Sequence, residues 1–131
     1  MTQEDKSLLL KDLCARLPYG VKCRYQHIQY VENGKIIDIN MFGIVNVDGH
    51  IKDICDIKPY LIPLSSMTET QCYELAAIRS GFQDCWKYIK TPIPLSICNF
   101  EQIDWFHKNH FDYRGLIEKG LAIDATNLNI Y

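Results

Sequence analysis

The sequence predicts an α+β fold: an N-terminal helix, an antiparallel β-meander of three to five strands that can curl into an SH3-like small barrel, and C-terminal helices. Three observations carry this. Leu9 or Leu10, Leu13, Cys14 and Leu17 recur at the i, i+3, i+4, i+7 spacing of one helical face. Val21, Cys23 and Tyr25 alternate with Lys22, Arg24 and Gln26, the period of a half-buried strand. Two turn dipeptides, Asn33-Gly34 and Asp48-Gly49, follow at hairpin spacing. With 131 residues, 47 % of them apolar, and no repeat or low-complexity tract, residues 1–131 read as a single domain.

The elements follow in order. Thr2 caps the first helix with Asp5 three residues on, and Pro18 stops it. Strands run through Val21–Tyr25, through Ile37–Met41 and through Ile51–Ile57, with Gly43 marking a bulge or bend. A further strand at Tyr60–Ile62, between Pro59 and Pro63, would close the curled sheet. Ser66 with Glu69, or Thr68 with Gln71, opens a second helix that runs to Ser80-Gly81. Pro92 and Pro94 suggest an extended, partly β path through residues 82–98. Asn99 and Gln102 cap a third helix; Asp112 caps a short fourth one ending at Gly120.

Charge and composition narrow the classes of function. The formal net charge is −2, and no two Lys or Arg are adjacent. That weighs against nucleic acid as a partner, because a binder of that kind needs its cations gathered in one stripe. No run suits a bilayer span, and MTQEDKSLLL lacks the apolar stretch of an export signal, so no membrane role and a cytoplasmic location are expected. The six Cys contain no CxxC pair and are expected to be reduced, most of them as small buried residues. No metal and no cofactor is expected.

Three constellations stand out. In the first, His107 and His110 share a helical face with Asp104 one turn earlier; zinc is one use of this pair, packing at the helix end the other. The second is Asp112-Tyr113-Arg114 with Trp105. It offers a planar donor fork beside rings that stack on a flat ligand, so Trp105, His107, His110, Tyr113 and Arg114 form a candidate site for a small anionic or nucleotide-like ligand. The plainer alternative buries the rings and pairs Arg114 with Glu118. The third, Arg16, Tyr19 and Arg24 around the turn after the first helix, is a candidate surface for a protein partner. A Cys/His enzyme would have to bring Cys85 or Cys98 against His107, and no third orienting residue is marked.

Three blocks carry a resemblance: LLLKDLCARLPYGVKC at Leu8–Cys23, KPYLIPLSSMTE at Lys58–Glu69 and DWFHKNHFDYRGLIEKGLAI at Asp104–Ile123. In this order they resemble a family of small proteins of gut anaerobes and of their phages and mobile elements. Members of the family that the chain resembles often carry a cation where this chain has Ile62. The resemblance implies an accessory role in a phage or mobile-element context, including counter-defence, and implies no particular chemistry. The expectation is a non-enzymatic binding protein that recognises a host protein or a small anionic ligand. The alternatives are an SH3-like module that binds protein or nucleic acid through its sheet face, and a Cys/His-dependent enzyme.

Overall fold

Local chemistry sets the first element. Helix α1 (Gln3–Arg16) starts at a reciprocal capping box: the Thr2 hydroxyl accepts from Asp5 N, and the Asp5 carboxylate accepts from Thr2 N. The computed structural model describes residues 1–27, 30–78 and 98–131. A 3-10 turn at Leu17–Tyr19, with Pro18 in its first positions and Gly20 left-handed behind it, ends the helix and reverses the chain.

The strands are β1 (Lys22–His27), β2 (Tyr30–Ile39), β3 (Ile44–Val47), β4 (His50–Asp53) and β5 (Ile57–Pro63). All neighbours among them pair antiparallel, in the order β4-β3-β2-β1-β5. A 3-10 turn at Ile54–Asp56 precedes β5. A register break at Ile36/Asp38 lets β2 bend between its two neighbours. Among the described residues β4 and β5 do not pair, so the sheet remains open at that seam. Two short strands add in parallel to β5 on its two edges: β6 (Phe111–Asp112) on the side of β1, beyond the end of that strand, and β7 (Ile123–Asp124) on the far side. The predicted α+β architecture is therefore the observed one, with a mixed rather than purely antiparallel sheet.

The turns differ from expectation in one place. Asp48-Gly49 is a two-residue hairpin turn, both residues at positive φ, between Val47 and its partner His50. Asn33-Gly34 is not a turn: it lies in mid-strand, opposite Arg24 and Cys23. Gly34 is there because a Cβ would sit 2.7 Å from Val47 Cγ1 and 3.0 Å from Tyr25 Cε1. A close approach of side chains, not backbone reversal, selects glycine at this position.

Helix α2 (Glu69–Ile78) uses the Thr68/Gln71 box, and α3 (Phe100–Lys108) uses Asn99/Gln102. The remainder of the second helix and the extended path expected at 82–98 lie outside the described residues except for Cys98. The fourth helix is reduced to a turn. Asp112 oxygens accept from Leu116 N and Ile117 N, each at 3.0 Å, and left-handed Gly120 lets Leu121 N reach Leu116 O at 2.9 Å.

The core has two parts. Leu9 and Leu13 of α1 pack with Val21, Cys23, Ile36, Val45, Ile57 and Leu61 on the inner sheet face. Leu64, Met67, Leu75, Phe106, Phe111 and Tyr113 form the second cluster, between α2, α3 and β6. No described helix is long and apolar enough to cross a membrane.

Candidate functional site

The buried face of α1 is not purely apolar. Asp12 and Arg16 occupy the same i, i+3, i+4, i+7 positions as Leu9 and Leu13, and both are 0 % exposed. Asp12 is the hub. Its Oδ2 accepts from Arg16 Nε at 2.7 Å, and its Oδ1 accepts from Arg114 Nε at 2.9 Å. Arg16 also donates to the Phe111 carbonyl at 2.6 Å, while its other terminal nitrogen is buried with no hydrogen-bond partner. One carboxylate thus holds two guanidiniums, and the cluster carries a net positive charge.

Tyr113 sits against both cations, with Arg114 5.0 Å and Arg16 5.5 Å from its ring centre. Its hydroxyl meets His107 Nε2 at 2.7 Å. Among the predicted ligand residues, His107, Tyr113 and Arg114 therefore do come together, but around Asp12 rather than around a hollow. Arg114 pairs with Asp12, 102 residues away, and not with Glu118. Trp105 is half-buried and stacked on Phe111 at 5.5 Å, so its ring is already engaged. His110 leaves the helix at positive φ, which takes it off the face of His107. It stacks on Tyr131 at 3.5 Å, and the Tyr131 hydroxyl in turn accepts from Lys22 N and donates to Tyr60 O. Among the described residues no three His, Cys, Asp or Glu side chains gather as a metal site. His107 Nε2 meets the Tyr113 hydroxyl; Cys85 lies outside the described residues and Cys98 is half-buried.

Both imidazoles are neutral at pH 7. Burial pushes His107 down to about 4, helped by the Arg16 charge, and burial with Arg16 and Lys22 does the same to His110. The unfolded chain takes up these protons near pH 6.5 and the folded one only near 4. Stability is thus fully present above pH 6.5 and is lost as pH falls towards 4. Denaturant titrations across that window should show stability falling with pH, by up to about 3 kcal/mol for each ring. A His107→Gln/His110→Gln chain should flatten the profile.

The third constellation divides. Arg16 is inside, so it lines no surface. Tyr19 is half-buried and donates to Asp104. Arg24 is exposed, on the outer sheet face, and opens a feature the sequence hides. Lys22 lies directly opposite Lys35, and Arg24 directly opposite Lys58. Residues opposite each other share a face, and alternate residues of one strand do too. Lys35, Lys22, Arg24 and Lys58 therefore form one continuous row across β2, β1 and β5. All four are exposed, and none forms an ion pair with a carboxylate of the described residues. No spacing in the sequence reveals this row; the strand register does.

No protein-family model matches the chain, and neither a curated protein nor a solved structure matches it.

Proposed function

We propose that this protein is a non-enzymatic binding module whose working surface is the outer face of its sheet, and that its partner is anionic. The observation that supports this is the row of four cations. Like charges directly opposite in a sheet are destabilising, and two such pairs stand side by side here. An anionic partner turns that repulsion into binding energy and is held without any catalytic group. In the phage or mobile-element setting implied by the sequence blocks, such a module acts as an accessory protein on a host component. Titration with heparin, poly-glutamate and oligonucleotides at rising NaCl tests the reading. Binding should be measurable at low salt and weaken steeply as salt increases. Failure of every polyanion to bind at low salt would refute it.

A second reading, a small anionic ligand near Arg114, draws on the unpartnered nitrogen of Arg16. It requires a thermal shift with nucleotides or cyclic dinucleotides that disappears in Arg114→Ala.

A further inference from the structure

We infer that the anionic partner of the sheet face is single-stranded nucleic acid, with its backbone along the Lys35–Lys22–Arg24–Lys58 row and one base in the cleft where that row ends. The inference rests on the anion-binding reading above and narrows it.

The row is a track rather than a point. Neighbouring strands are about 4.8 Å apart and alternate residues of a strand about 6.7 Å apart. Four cations stepping across three strands thus match a linear polyanion better than a single small anion. At the Arg24–Lys58 end the sheet opens into a cleft of about 170 Å³. Val31 and Ile57 give it apolar wall, and Gln26 and Asp56 give it an amide and a carboxylate. This lining decides between kinds of polyanion. The Asp56 carboxylate repels the acidic side chains of a peptide. It accepts hydrogen bonds from the exocyclic amino group of cytosine, as carboxylates do in base recognition. The Gln26 amide offers both a donor and an acceptor to the same base edge. A base reaches such a cleft only when it is unpaired, which selects single strands over duplexes.

The test is fluorescence anisotropy of the full chain with short labelled oligo(dC) and oligo(dT), the corresponding duplex, and poly-glutamate. Oligo(dC) should bind more tightly than poly-glutamate or duplex. A slope of log affinity on log salt of about −3 is expected for four phosphates on a single strand. Asp56→Asn should erase the preference for oligo(dC) over oligo(dT). Lys35→Glu/Lys58→Glu should weaken binding by about tenfold or more. Those two changes turn like-charge pairs into opposite-charge pairs, so the melting temperature should hold or rise, which separates lost binding from lost folding. Equal affinity for poly-glutamate or for duplex, or binding unaffected by Lys35→Glu/Lys58→Glu, would overturn the nucleic-acid inference and leave the anionic face standing. Absence of binding to any of the polyanions would remove both.

Discussion

Asp12→Ala is expected to cost about 3–5 kcal/mol of folding stability, the effect of removing one partner from a buried charge cluster. The loss is large because, among the described residues, Asp12 is the only carboxylate on two guanidiniums, both bonded to it below 3 Å. Without it, Arg16 keeps the Phe111 carbonyl and the Tyr113 ring but has no counter-charge, at 0 % exposure. Arg114 is closer to solvent, with 13 % of its side chain accessible, and turns outward at lower cost. Set against a typical domain stability of about 5–15 kcal/mol, the change leaves a marginal fold. Urea denaturation checks this. Removing the whole charge set, in Asp12→Leu/Arg16→Met/Arg114→Met, should restore much of the stability, because apolar replacement of a buried ion cluster is often neutral. If Asp12→Ala alone unfolds with an unchanged midpoint, the cluster does not hold α1 in place.

Gly34→Ala is expected to cost about 2–3 kcal/mol by overpacking. The added methyl group meets Val47 Cγ1 at 2.7 Å, Asp48 Oδ2 at 2.8 Å and Tyr25 Cε1 at 3.0 Å, all nearer than a Cβ normally comes. Val47 and Tyr25 are core residues, and the Asp48 carboxylate is bonded to Lys35 N, so little can yield. Differential scanning calorimetry gives the size of the effect. Gly49→Ala is the useful comparison: nothing lies within 4 Å of its Cβ position, and its cost comes from positive φ alone. Equal stability of Gly34→Ala and the parent chain would mean that Gly34 is not a packing glycine.

These two sites mark the boundary of what the sequence discloses. Signals confined to a few residues read correctly: the Thr2/Asp5, Thr68/Gln71 and Asn99/Gln102 boxes, the Asp48-Gly49 turn and the Gly120 stop. Asn33-Gly34 has the same local signature as a turn, and only the side chains of Tyr25 and Val47 distinguish the two cases. Asp12 and Arg16 carried a usable signal: two ionisable residues in phase with Leu9 and Leu13 lie on the core face. An i, i+4 charge pair normally reads as solvated, and the partner that makes burial tolerable, Arg114, is 102 residues away. Of the predicted ligand residues, His107, Tyr113 and Arg114 lie together, as their closeness in sequence suggests. Their attachment to α1 was not visible. The cationic row depends on which residues of β1 face which of β2 and β5, so the even spread of charge along the chain concealed it.

The far edge of β5 has a consequence for solubility. Left bare, that edge would offer the Leu61 amide and carbonyl, beside the apolar Tyr60 and Ile62, to any neighbouring molecule, while Pro59 and Pro63 have no amide to give. β7 occupies that edge at Leu61, whose carbonyl accepts from Ala125 N, and β6 meets the opposite edge at Ile62, beyond the end of β1. Both come from the segment that Arg114 ties to the N-terminal helix. Releasing that tie does more than loosen a helix: it uncovers an aggregation-prone edge, so weakened variants should precipitate on warming instead of refolding.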